Sequence, residues 1–235
     1  MNYFVISDIH GHFDEMITCL DEAGYDEKDN THKLIVVGDM IDRGSQSKEV
    51  LEYAYRLYKD NKAHVIMGNH DKFLLDFFNK DYKKVIFNFE RNGHMETFKS
   101  LLNKEVKEEE FDQINQELFS KYNHLYEFLN ELPCFLEIED YIFVHGGIDV
   151  SLDDWRKDSV RNFTWNYQFK MDPLPGKTIV CGHVQVAYIR SEEKDLKKVY
   201  EETPELFDIF HRDGVIYIDG SILTTKKINV LRLEI

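Results

Sequence analysis

Apolar positions fall into two rhythms along this 235-residue chain. Short apolar runs occupy Tyr3 to Ile6 and Leu34 to Val37, and a third extends from His64 to Met67. Between them, Phe13, Met16, Ile17 and Leu20 recur at helical spacing, as do Val50, Leu51, Ala54, Leu57 and Tyr58. An unbroken apolar run suits a strand covered on both faces, whereas a three-and-four spacing lines one face of a helix. Gly24 predicts the end of the first helix, and Ser47 predicts an N-cap for the second. The order strand, helix, strand, helix, strand predicts parallel strands with crossover helices, an α/β class.

From Lys72 to about Leu132 the pattern becomes helical, with Leu, Phe and charged residues dominant and no proline before Pro133. The stretch KEVKEEEFDQINQELFSKYNHLYEFLNEL predicts a long amphipathic helical region with a solvated charged face. Strands resume after Pro133, at CFLEI, YIFVH, TIVCGH, VIYID and INVLRL. Their short connections predict antiparallel pairs, so the sheet is expected to be mixed. The charged stretch RSEEKDLKKVYEETPEL reads as a surface insertion. With only four prolines and no linker-like composition, residues 1–235 read as one domain carrying a helical insertion at about 72–132.

Charge narrows the partners. The net charge of −15 argues against nucleic acid as a bulk electrostatic partner, though not against a local pocket for one phosphate. No run approaches the ~20 apolar residues that span a bilayer. The opening MNYFVISDIHG lacks the basic and apolar regions of a signal peptide. Cys19, Cys134 and Cys181 are isolated and read as buried free thiols in a reducing compartment, hence the cytoplasm.

The chemistry lies just beyond the strand ends. YFVI leads into Ser7, Asp8, Ile9, His10 and Gly11. LIVV, opening the stretch VVGDMIDRGSQ, leads into Gly38, Asp39, Asp42, Arg43 and Gly44. HVIM precedes Gly68, Asn69, His70 and Asp71; YIFV precedes His145, Gly146 and Gly147; TIVC precedes Gly182 and His183. Five strand ends thus carry metal-type ligands beside glycine, where α/β sheets bind their ligands. Imidazole and oxygen donors without thiolates suit manganese, iron or zinc. In extended backbone Asp8 and His10 would point to one side and share a metal. Asp39 is expected to bridge to a second metal held by Asn69, His145 and His183. Asp42 would orient His70, which points away from the metals and donates a proton, while Arg43 grips phosphate.

In this order SDIHG, GDMIDRG, GNHD, HGG and GH resemble the signature of the calcineurin-like metallophosphoesterases. GDMIDRG resembles the serine/threonine phosphoprotein phosphatase branch, with its phage and bacterial phosphatases and symmetrical diadenosine tetraphosphate hydrolases. FNFERNGHMETFKSL resembles the NGG-and-Thr segment of small bacterial members, and IYIDGSILTTKKINVLRLE their closing strand pair. The resemblance implies a mixed β-sandwich flanked by helices and a two-metal site, most often manganese. Asp8, His10 and Asp39 would hold one ion, and Asp39, Asn69, His145 and His183 the other. His70 and Asp42 would form an acid dyad, Arg43 a phosphate clamp, and a metal-bound hydroxide would attack phosphorus directly. Three departures stand out. Met67 replaces an arginine, Asp71 a glutamate, and NFTWNYQF lacks the family's arginine, although Arg161 lies nearby.

These features predict a serine/threonine, or dual-specificity, protein phosphatase acting on a phosphorylated protein or small phosphorylated substrate. The alternative is a dinucleoside polyphosphate hydrolase, and the outlying reading is a non-catalytic phosphate-binding protein. The region Lys72 to Leu132 and the charged insertion are expected to build the substrate walls. His12, His32, His64, His94, His124 and His211 read as core or surface, with His94 the one whose segment can approach the site. Asp219 reads equally as support for a ligand histidine or as a plain strand end.

Overall fold

The computed structural model describes residues 1–166 and 171–235. In chain order its elements begin with β1 (Asn2–Ile6), α1 (Phe13–Glu22), β2 (His32–Val37), α2 (Ser47–Lys59), β3 (Ala63–Ile66) and α3 (Asn69–Phe78). Next come α4 (Tyr82–Arg91), α5 (His94–Leu102), α6 (Phe111–Glu131), β4 (Phe135–Ile138), β5 (Tyr141–Val144) and α7 (Val160–Thr164). The chain closes with β6 (Thr178–Cys181), α8 (Val186–Ser191), α9 (Leu196–Glu202), β7 (Phe210–Arg212), β8 (Val215–Tyr217), α10 (Ile222–Thr225) and β9 (Leu231–Glu234).

Two mixed sheets face each other. One has the order β3-β2-β1-β9, with β1, β2 and β3 parallel and β9 antiparallel to β1. The other has the order β4-β5-β6-β8-β7, with antiparallel pairs at both edges and β5, β6 and β8 parallel. The period of two in each strand sorts its side chains between layers. Val5, Ile35, Val37 and Ile66 meet Phe143, Val180 and Ile216 between the sheets. Phe4, Ile6, Leu34 and Val36 face the helices instead, in a cluster that runs from Met16 on α1 to Leu129 on α6. Ile142, Val144, Ile179 and Tyr217 pack outward against Trp155 and Phe163. Each fully buried Leu, Ile, Val or Phe contributes roughly 1.5–3 kcal/mol, which is why unbroken apolar runs fold into strands with no free face.

The helical region 72–132 packs into the same core as β1 and β2 instead of standing apart from it. Its last helix, α6, kinks at Tyr122 (φ −133°), whose hydroxyl donates to the Leu101 carbonyl at 2.7 Å. Several expectations change. Ser47 opens α2 but does not cap it; its hydroxyl accepts from the Asp42 N–H at 3.2 Å. The charged stretch forms α9 and neighbouring turns, with Val199 and Phe207 buried against Ala187. β7 was not anticipated, since three residues around an exposed histidine carry no apolar alternation. The cysteines are free, and only Cys181 is fully buried.

Candidate active site

The parallel strands of both sheets end on one rim, and the loops leaving them turn sharply. Asp8, His10, Asp39, Asp42, Arg43 and His183 all adopt left-handed backbone angles, with φ from 47° at His10 to 74° at Asp42. Asp8 and His10 therefore reach the same place through a turn, and not through the extended alternation expected from their spacing. The sheets are tied at this rim by His145, at the end of β5, whose Nδ1 donates to the Val37 carbonyl at the end of β2 (2.8 Å).

Asp39 lies at the centre. Its Oδ1 accepts from the His70 N–H in the first turn of α3 at 2.9 Å. Its Oδ2 faces three imidazoles: His145 Nε2 at 3.3 Å, His10 Nε2 at 3.8 Å and His70 Nε2 at 3.9 Å. Asp8 Oδ1 lies 3.9 Å from His10 Nε2, and Asn69 Oδ1 lies 3.1 Å from His145 Nε2. Among the described residues, two groups have ligand atoms close enough for one cation, His10–Asp39–His70 and Asp39–His145–His183, and they share Asp39. A Cβ at Gly68 would collide with the Asp39 carboxylate, so only glycine lets β3 approach it.

The donor chemistry fits metal ions. His10 Nδ1 donates to the Ile41 carbonyl at 2.9 Å, as His145 Nδ1 does to Val37, which turns each Nε2 lone pair inward. Asp8, Asp39, Asp42, Asp71 and Asp219 are all buried here, and buried carboxylates demand compensating positive charge. Burial pushes the Asp8 carboxyl up, and burial with the Asp8 charge pushes Asp219 far up. Burial opposes charge on His145 as well, but Asp39 and Asp8 outweigh it and raise its pKa to about 10. His183 moves the other way, to about 3, through burial and the neighbouring His145. Such opposed shifts come from carboxylates and imidazoles packed together in a buried site, a donor set that a divalent cation would satisfy.

A second group surrounds Asp42. Its Oδ2 accepts from His70 Nδ1 at 2.5 Å, and its Oδ1 accepts from His94 Nδ1 at 2.8 Å and the Thr97 hydroxyl at 2.6 Å. The Asp42 carboxyl lies below the usual carboxylate range: burial opposes the charge, and His94 and His70 outweigh it. His70 is raised in turn, since Asp39 and Asp42 overcome its burial. His70 thus turns one nitrogen to Asp42 and the other toward Asp39, facing the group of candidate ligands it was expected to point away from. Arg43 donates from Nη1 to His10 Nε2 at 2.8 Å, and its Nη2 lies 3.3 Å from His70 Nε2. Gly93, with φ 78°, lets α5 press against this loop: a Cβ there would meet Arg43 N at 2.6 Å.

Asp71, read from sequence only as a mild change, holds the framework. Its Oδ2 accepts from Asp39 N–H (2.8 Å) and Gly68 N–H (2.9 Å), and its Oδ1 from Met40 N–H (3.0 Å). Burial and the Asp39 charge push its pKa up to about 7. Thr97 was missed, and His94 was read as core or surface although its segment was the one expected to approach the site; the resemblance of that segment was the one available signal. The pocket above Asp39, about 140 Å³, is walled also by Asn92, Trp165 and Gln185. Asn92 comes from the helical region. The charged insertion borders a different cavity, beside Gly220 and Asn229. Asp219 Oδ1 accepts from Ser221 N–H at 2.7 Å. Of the segment NFTWNYQF, residues 167–169 lie outside the described residues.

A family profile described as calcineurin-like phosphoesterase matches residues 1–218, and the chain belongs to that family. An asymmetrical bis(5'-nucleosyl)-tetraphosphatase of Bacillus velezensis is 35% identical over 96 residues, 38% of this chain and 39% of that protein. Its counterpart in Halalkalibacterium halodurans is 30% identical over 155 residues, covering 63% of this chain and 58% of that protein. The chain thus spans less than two thirds of the length of these curated relatives. A cold-active protein-tyrosine phosphatase of a Shewanella species shares the fold, with a TM-score of 0.60 over 99% of this chain and 75% of its own, at 20% identity. A protein serine/threonine phosphatase of Saccharomyces cerevisiae does so at 0.55, over 100% of this chain and 80% of its own, at 14% identity.

Proposed function

We propose that this protein is a two-metal phosphoric ester and anhydride hydrolase whose preferred substrate is a dinucleoside polyphosphate. The observation that carries the chemistry is Asp39, one carboxylate common to two overlapping groups of ligand atoms. Asp8, His10 and Asp39 would hold one divalent ion, and Asp39, Asn69, His145 and His183 the other, with manganese as the first choice. Such ions, when bound, polarise phosphoryl oxygens and lower the pKa of water. The chain's own residues do the rest. Arg43 offers a planar fork of donors to phosphate oxygens. His70, whose pKa Asp39 and Asp42 raise against its burial, presents Nε2 at the pocket and would give its proton to the leaving oxygen. Asp42 stays ionised against His94 and Thr97, so it orients His70 without taking its proton.

The substrate reading is supported by the curated relatives, which are named as bis(5'-nucleosyl)-tetraphosphatases. It displaces the phosphoprotein phosphatase reading, for which the solved phosphatases offer likeness of fold alone. The test strips the metal, restores Mn²⁺ or withholds it, and compares rates on diadenosine tetraphosphate with phosphoserine and phosphotyrosine peptides. Mn²⁺-dependent turnover that favours the dinucleotide is expected. Turnover confined to the peptides would return the assignment to a protein phosphatase.

A further inference from the structure

A second groove, about 390 Å³, opens beside the catalytic pocket and shares Asn69 and Trp165 with it. Its floor is aromatic. Phe73, on α3, meets the Trp165 ring edge to face with centroids 5.7 Å apart. Val160, at the start of α7, forms an apolar lip that is 49% exposed. Three cations, Lys72, Lys84 and Arg161, line the same groove. Asp76 is there too, but it pairs with Lys72, while Lys84 pairs with Asp81 at 2.7 Å. Arg161 is exposed and, among the described residues, makes no ion pair.

Size and charge together select an occupant. The catalytic pocket, at about 140 Å³, falls below the ~300–1,000 Å³ of sites that enclose a nucleoside-sized ligand, whereas the groove falls within that range. A protein of net charge −15 repels a polyphosphate, so a cation such as Arg161, outside any ion pair among the described residues and set beside an apolar slot, is informative. An apolar peptide side chain needs the slot but not the cations, and inorganic phosphate needs the cations but not the slot. A phosphate chain ending in an aromatic base uses both.

We propose that this groove is the nucleobase subsite, with a base against Phe73 and Trp165 and Arg161 gripping a phosphate remote from the reacting phosphorus. This deepens the dinucleotide reading and rests on it. Base stacking on aromatic side chains and a charge-assisted contact to phosphate each correspond to about tenfold in binding.

The test uses the full Mn²⁺-loaded chain. Trp emission is titrated with AMP and with ribose 5-phosphate, which carries the same phosphate without a base. AMP is expected to bind about tenfold tighter, and Val160→Asp to abolish that preference. In parallel, the ratio of kcat/KM for diadenosine tetraphosphate to that for O-phosphoserine is expected to fall about tenfold in Arg161→Ala; a ratio is insensitive to a partly folded preparation. Equal binding of AMP and ribose 5-phosphate would overturn the proposal. So would dinucleotide turnover that both variants leave intact, although the hydrolase reading would then stand. An AMP preference lost in Val160→Asp, in a protein that fails to cleave the dinucleotide, would keep the subsite and remove the hydrolase reading. Variants that impair only phosphopeptides would assign the groove to a peptide and refute the base.

Discussion

Replacing Asp71 tests whether the ligand loop is held by its backbone hydrogen bonds. The carboxylate accepts from three buried N–H groups, those of Asp39, Met40 and Gly68, at 2.8–3.0 Å. Asp71→Ala leaves all three without an acceptor. Each unsatisfied buried donor costs roughly 1–3 kcal/mol, and relief of repulsion with Asp39 offsets part of the sum. The expected loss is about 3–5 kcal/mol, a large share of a typical stability of about 5–15 kcal/mol. For a chain of this size that lowers Tm by roughly 6–20 °C, at about 2–4 °C per kcal/mol. Asp71→Asn should cost less. With its oxygen turned to the two N–H groups that share Oδ2, only the Met40 N–H meets an amide donor, and the loss is about 1–2 kcal/mol. Urea unfolding of the metal-stripped proteins is the assay, because bound metal adds stability of its own. An alanine variant within about 1 kcal/mol of wild type, or an asparagine variant as unstable as alanine, would refute this account.

The same geometry carries further expectations. His70→Asn should keep both metals, by elemental analysis, and lose ~10²–10⁴ in turnover, because a proton donor is removed and not a ligand; full activity in the loaded variant would contradict the acid role. Asp39→Asn should lose metal from both positions, and unchanged metal content would argue against sharing. Dialysis against a chelator should lower Tm, and Mn²⁺ should restore it, since an ion that binds only the folded state stabilises it; an unmoved Tm would count against the centre. On the surface, Arg56 holds Glu27 below the usual carboxylate range through hydrogen bonds of 2.5 and 2.8 Å. That stabilisation, at most about 0.5 kcal/mol for an exposed pair, is present above the ordinary Glu pKa of about 4.3 and is lost as pH falls through the lower folded value. The stability gap between wild type and Arg56→Ala should therefore close on acidification, and a gap that widens would reverse the sign.

What the sequence disclosed and what it hid divide by distance along the chain. Asp8, His10, Asp39, Asn69, His145 and His183 each lie within a few residues of the end of their own strand, so local pattern placed them on one rim. The cage around Asp42 needs Thr97, 55 residues away, and His94, 52 away, and no periodicity announces which distant hydroxyl or imidazole will satisfy a buried carboxylate. Asp71 was undervalued because its partners are backbone N–H groups, which every residue carries. β7 escaped because it is three residues long, with one apolar side chain, Phe210, packed on Tyr217 and no alternation to read beside its ladder with β8. The direction of His70 was misjudged because helix α3 begins at Asn69, so consecutive residues diverge by helical rotation and not by strand alternation.

The left-handed backbone at Asp8, His10, Asp39, Asp42, Arg43 and His183 has an evolutionary consequence. A side chain in that conformation costs roughly 1 kcal/mol or more relative to glycine. Glycine at any of these positions would relax the loop and delete a chemical group in the same step. At Asp39 and Asp42 that relief is outweighed by the buried donors left behind, the His70 N–H in one case and His94 Nδ1 with the Thr97 hydroxyl in the other. The hydrogen bonds that aim these side chains also hold the strained backbone in place, so the shape of the loop and its chemistry are inherited together.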